Sequence, residues 1–167
     1  MLQSQDLLVL LKLAENPPSW TFDSVAHELG LGSSGVHRSV QRATEAGLFD
    51  NRRREVNHPG LLEFLVHGAR YVFPPKWQGE ARGRPTAWAA PPLEDQLVSS
   101  GGNAPVWADP EGKVRGIALE PLHPAVPDAV RQDERLWELL ALFDAIRVGR
   151  ARERDLAAQE LERRLSA

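Results

Sequence analysis

The sequence predicts an α+β protein, mostly helical, and three observations carry that expectation. Apolar residues recur at intervals of three and four through residues 3–49 and again through 133–165, the mark of helices with a buried face. Between those blocks, Val106-Trp107-Ala108 and Val114 to Leu119 flank Asp109-Pro110-Glu111-Gly112, two strand-like runs around a turn. The 167 residues are 42% hydrophobic and 26% charged, ordinary for a globular protein and enough for a real core. The expected organisation is a first, helical domain over residues 1–90. A second domain, 91–167, adds a β-hairpin and C-terminal helices.

Gln3 to Glu15 reads as the first helix, with Leu7, Leu8, Leu11 and Ala14 on one face. Val9, Leu10 and Leu13 add apolar surface elsewhere, so this helix is expected to be covered on more than one side. Asn16-Pro17-Pro18 stops it. Thr21 caps a second helix whose inward set is Phe22, Val25, Ala26 and Leu29. Gly30-Leu31-Gly32 turns the chain, and Ser33 caps a third helix with Val36, Val40, Ala43 and Gly47 as its buried row. The opposite face shows Ser34, Arg38, Gln41, Arg42 and Glu45, with His37 on its flank. Asn51 to Asn57 is basic and extended, Pro59 to Gly68 is another helix, and Arg70 to Phe73 is strand-like. Pro74 to Pro92 is irregular, rich in Pro, Gly and Trp, and Ser99 to Asn103 reads as a mobile connection. Asp133 caps a helix carrying Leu136, Leu139, Leu140, Phe143 and Ile146; after Gly149, residues 150–165 form the last helix.

Several functions are excluded or left without support. There is no cysteine, hence no disulfide, thiolate metal site or thiol nucleophile, which suits a cytoplasmic protein. The longest apolar run, Leu7 to Leu13, is broken by Lys12 and is far short of a membrane span. The N-terminus lacks the basic start of a signal peptide. The five histidines show no paired ligand spacing. No nucleophile sits in a recognisable elbow, and Ser99-Ser100-Gly101-Gly102 lacks the Lys and helix of a phosphate loop. The expectation is a chain that is not an enzyme and needs no cofactor or metal.

Net charge is −3, but its distribution points the other way. Residues 33–90 carry nine bases against five acids, while 91–128 carry two bases against six acids. Positive charge therefore gathers at and after the third helix, as a polyanion-binding surface needs. Two short helices joined by a glycine turn form a helix-turn-helix, whose second helix is sized for the DNA major groove. The string Leu29-Gly30-Leu31-Gly32-Ser33-Ser34-Gly35-Val36-His37-Arg38-Ser39-Val40, followed by Glu45-Ala46-Gly47-Leu48-Phe49, resembles winged helix-turn-helix transcriptional regulators of the MarR and IclR types. The resemblance covers residues 1–50. It departs from the pattern at Gly32, where a capping Ser is common, and at Gly35, where Ser or Thr is usual; a glycine inside a helix costs about 1 kcal/mol relative to Ala. The expectation is that this first turn orders on DNA.

The resemblance implies a winged-helix-like first domain and a sequence-specific DNA-binding regulator, a repressor acting as a homodimer. Ser33, Ser34, His37, Arg38 and Gln41 lie near the N-terminal half of the helix that meets base edges, Arg favouring guanine and Gln adenine. Arg42 and the Arg52-Arg53-Arg54 run are expected to hold phosphates of double-stranded DNA. Arg82-Gly83-Arg84-Pro85 matches the core of the AT-hook, whose arginines enter the narrow minor groove of A·T tracts. The stripe Leu136, Trp137, Leu140 and Phe143, with the first helix, is the expected dimer surface, while Arg147, Arg150, Arg152 and Arg154 read as a salt-bridged helix surface. The alternative is a protein-interaction module, for example the antitoxin subunit of a toxin–antitoxin pair, docking a basic protein partner on the acidic residues 91–128.

Overall fold

Three helices form where the apolar periodicity places them: α1 Ser4–Ala14, α2 Phe22–Leu29 and α3 Ser33–Glu45. The computed structural model describes residues 1–97 and 103–166. It is α+β and mostly helical, as expected. Every α1 residue from Asp6 to Ala14 is buried, because α3, the strand at 55–56 and the helix at 134–148 cover it from different sides. At the start of α2, Thr21 Oγ1 accepts from the Ser24 amide at 2.9 Å while Ser24 Oγ accepts from the Thr21 amide at 2.8 Å. Both α2 and α3 end on a left-handed glycine. Gly30 has φ +68° and Gly47 +80°, and the next amides reach back from Leu31 to Ala26 O (2.8 Å) and from Leu48 to Ala43 O (2.9 Å). Two details differ from expectation. The α3 cap residue is Gly32, with Ser33 as the first helical residue, and Gly47 lies exposed beyond the helix end rather than in its buried row.

Next come β1 Phe49–Asp50 and β2 Glu55–Val56, an antiparallel pair around a four-residue tip. Then α4 spans His58–His67, and α5 is a single helical turn, Ala69–Val72, where a strand was expected. The stretch read as irregular contains a long strand, β3 Trp77–Pro85, a 3-10 turn at Ala87–Ala89 and α6 Pro91–Glu94. The remainder is β4 Pro105–Ala108, β5 Val114–Leu119, α7 Val126–Ala129, a 3-10 turn, α8 Glu134–Val148 and α9 Ala151–Leu165. Of the connection read as mobile over Ser99 to Asn103, residues 99–102 lie outside the described residues.

The expected hairpin of β4 and β5 does not form. Both strands pair antiparallel with β3, β4 at Gly83↔Ala108 to Pro85↔Val106 and β5 from Trp77↔Leu119 to Gly83↔Val114. Where they touch each other, at Pro105↔Ile117 and Val106↔Ala118, they run parallel and close a small barrel. The reason lies in the turn. The Asp109 amide donates to Arg82 O, and its carboxylate takes the Glu111 amide and the Arg131 guanidinium, each at 2.9 Å. The loop is thus tied to β3 and to the 3-10 turn before α8 instead of folding β5 back on β4. β3 also passes so close to β4 that a Cβ at Gly83 would collide with the Trp107 carbonyl.

At the centre lies α8, with every residue from Leu139 to Arg147 buried. Its Asp144 collects Trp107 Nε1 (2.8 Å), Thr86 Oγ1 (2.7 Å) and two Arg147 nitrogens (2.6 and 3.1 Å). Arg147 also donates to Phe73 O at 3.1 Å, so it is an internal clamp and not part of a charged surface. The hydrophobic core is continuous from Leu7 to Leu165, and residues on both sides of the expected boundary at 90 belong to it. The expected dimer stripe is covered within the chain. Leu136, Leu140 and Phe143 are fully buried, and Trp137 donates to Pro85 O at 2.9 Å. No helix among the described residues is long and apolar enough to cross a membrane.

Candidate nucleic-acid interface

The outward face of α3 is set by its inward one. Val36, Ser39, Val40 and Ala43 face α1 and α2, which turns Ser34, His37, Arg38 and Gln41 to solvent. Arg38 has no ion-pair partner among the described residues. In the first turn of α3 the Gln5 side-chain amide donates to Gly35 O (3.2 Å) and to Ser39 Oγ (3.1 Å). Gly35 leaves room for that approach. These contacts brace the turn against α1. Ser33, at the helix start, is half-buried.

Arg42 is corrected more sharply. Its Nε and Nη2 each lie 2.8 Å from the Asp6 carboxylate, which is fully buried and also accepts the Gln3 amide at 2.7 Å. The pair holds the Arg42 guanidinium above its ordinary range, through the hydrogen bond first and against a little desolvation. Arg42 therefore fastens α3 to α1. It is spent on a carboxylate that would otherwise be an isolated buried charge.

The β1–β2 tip, which follows α3, carries Arg52, Arg53 and Arg54. Asp50 Oδ1 accepts the amides of Arg52 (2.9 Å) and Arg53 (3.1 Å) and organises the tip. The Arg53 amide does most to hold the Asp50 carboxylate below its usual range, with the Arg52 amide adding to it against weak desolvation. Arg52 and Arg53 project to solvent; Arg53 makes only loose contacts with Asp50 and Glu55, at 4.0 and 3.9 Å. Arg54 differs. Its backbone is left-handed (φ 55°), its guanidinium stacks 4.1 Å over the Trp20 ring, and its Nη2 donates to Trp20 O. That anchors the tip to the start of α2.

The Arg82–Pro85 segment is not a free arm. It is a strand with backbone bonds to β4 and β5, and Arg84 lies over the Trp137 ring at 4.8 Å. An AT-hook needs an unpaired, extended chain to enter a minor groove. Arg82 is exposed and stands opposite Arg115 across β3 and β5. In the acidic middle, Asp109, Glu111 and Asp128 surround Arg131, while Glu94, Asp95 and Glu120 are exposed.

Sequence reasoning missed Trp20, Phe22 and Asp50 as parts of this face, and Asp6 as the buried anchor of Arg42. Phe22 meets His37 edge-on at 4.9 Å, and Trp20 braces Arg54. Only Asp50 had a local signal, an Asp opening a turn between two short β-compatible runs. Comparison with protein-family models, curated proteins and solved structures found no match to this chain.

Proposed function

We propose that the chain is a sequence-specific DNA-binding transcriptional regulator, a repressor working in the cytoplasm, with α3 in the major groove and the β1–β2 tip beside it. The observation that carries this reading is the solvent-facing row of α3. Ser34, His37, Arg38 and Gln41 face solvent from a helix braced on its other side by α1 and α2. Arg38 matches guanine and Gln41 adenine by bidentate geometry. Arg52 and Arg53 sit where phosphates would pass, each neutralised phosphate steepening the log–log salt slope by about 0.9. Symmetric half-sites about 34 Å apart call for two copies, joined through faces other than α1 and α8.

The test begins with genomic fragments retained by the purified chain, followed by titration of a retained duplex. Arg38→Ala is expected to weaken binding by about 1–3 kcal/mol and relax sequence preference. Equal affinity and equal preference in wild type and variant would overturn the assignment.

A further inference from the structure

Away from α3, α4 and α9 leave between them an open groove of about 660 Å³. Its floor is apolar: Pro59, Leu62 and Val66 from α4 and Ala158 from α9. Leu62 and Val66 are half-buried, packed below against the core but uncovered above. Its rim is polar and mainly acidic: Glu63 and His67 stand on α4 and Asp155, Gln159 and Glu162 on α9, all exposed, and none of the three carboxylates has an ion-pair partner among the described residues. Glu160 of α9, by contrast, holds both Arg163 and Arg164. Glu162 moreover sits in the last turn of α9, where the helix dipole disfavours negative charge. Like charges ringing an apolar floor are a standing electrostatic imbalance that a cationic partner relieves.

We infer that the α4–α9 groove docks a basic amphipathic helix of a partner protein, its apolar stripe on Leu62, Val66 and Ala158 and its Lys or Arg residues against Glu63, Asp155 and Glu162. The geometry fits that occupant. Pro59, Leu62, Glu63 and Val66 recur at helical spacing on α4, as do Asp155, Ala158 and Glu162 on α9, so the groove runs along both helices. The ten residues of α4 span about 15 Å, enough for anchors at i, i+3 or i+4, and i+7 of an incoming helix. A second copy of this chain is a poorer occupant. Its long apolar helices, α1 and α8, are buried within their own core. The inference stands apart from the DNA-binding reading, since no residue of α3 or the β1–β2 tip lines this groove.

The experiment uses the full chain and a fluorescein-labelled synthetic helix of Leu, Ala and Lys about 18 residues long, five turns, followed by anisotropy. Saturable binding is expected, weakened by high salt and by about tenfold or more in Leu62→Asp and in the double charge reversal Glu63→Lys, Glu162→Lys. Because these side chains are wholly or partly exposed, a thermal melt confirms that each variant is folded. Arg38→Ala, which lies in the proposed DNA face, is expected to bind the peptide as wild type does. Equal peptide binding by all variants, or no saturable binding, would overturn the proposal. A chain that self-associates in a sedimentation run and is made monomeric by Leu62→Asp would assign the groove to a second copy instead.

Discussion

Glu15 offers the sharpest quantitative test of the packing. It sits at the end of α1 against the start of α8, with its side chain 9% exposed and its Oε1 lacking any hydrogen-bond partner among the described residues. Burial, then a hydrogen bond and the negative charge of Asp133, push its carboxyl up to about 8 from an ordinary 4.5, against the pull of Lys12 and Arg135. The neighbours settle the opposite way. For Asp133 burial acts upward, but hydrogen bonds from Lys12 and the Leu136 amide outweigh it and hold the carboxyl below its usual range. Lys12 bonds Asp133 at 2.6 Å and Glu28 at 2.8 Å, which together overcome its burial and raise it above 10.5. Between pH 4.5 and 8 the folded chain therefore keeps a proton on Glu15 that the unfolded chain releases. Stability must fall as pH rises through that window, by up to about 1.4 kcal/mol per pH unit and about 3–5 kcal/mol in all. Glu15→Gln removes the titration while its amide can still donate to Asp133. The variant is expected to match wild type near pH 5 and to exceed it by a few kcal/mol near pH 8–9. Urea unfolding at a series of pH values reads both curves. His123, which burial holds below its usual range, makes stability rise with pH up to about 6.5, but it does so equally in both proteins and drops out of the difference. A constant offset between the two curves from pH 5 to 9 would refute the reasoning.

Other changes probe the internal polar contacts. Asp144→Ala strands Trp107 Nε1, Thr86 Oγ1 and Arg147 in the core, and is expected to cost about 3–5 kcal/mol by denaturant unfolding; a loss below about 1 kcal/mol would show that the network is not what ties the barrel to α8. Arg42→Ala leaves Asp6 buried without its cation and is expected to destabilise by about 3 kcal/mol, while the salt slope of DNA binding stays unchanged; a shallower slope with intact stability would return Arg42 to the phosphate contacts. Arg54→Ala removes the stacking on Trp20 and is expected to lower stability by about 0.5–1 kcal/mol and to raise hydrogen exchange at the Arg52 and Arg53 amides. Unchanged exchange there would mean that Asp50 alone organises the tip.

The sequence by itself determined the helices and their faces. The Leu7 to Ala14 pattern, the Thr21 cap, the glycine at 30 and the Asp133 cap are local signals that act within a turn or two, so α1, α2, α3, α8 and α9 were legible without coordinates. So was the solvent face of α3, because burying Val36, Val40 and Ala43 on a 3.6-residue period leaves Arg38 and Gln41 outside. Only the tertiary structure decided what each exposed or charged residue was free to do. Arg42 meets Asp6 across 36 residues of chain, Arg54 meets Trp20 across 34, and Thr86 meets Asp144 across 58. β4 and β5, adjacent in sequence, found a common partner in β3 instead of each other. The physical reason is that periodicity reports which side of an element is apolar. It does not report which distant backbone, carboxylate or ring will satisfy a polar group once the chain closes, and at Arg42, Arg84 and Arg147 that choice separates a structural cation from a surface one.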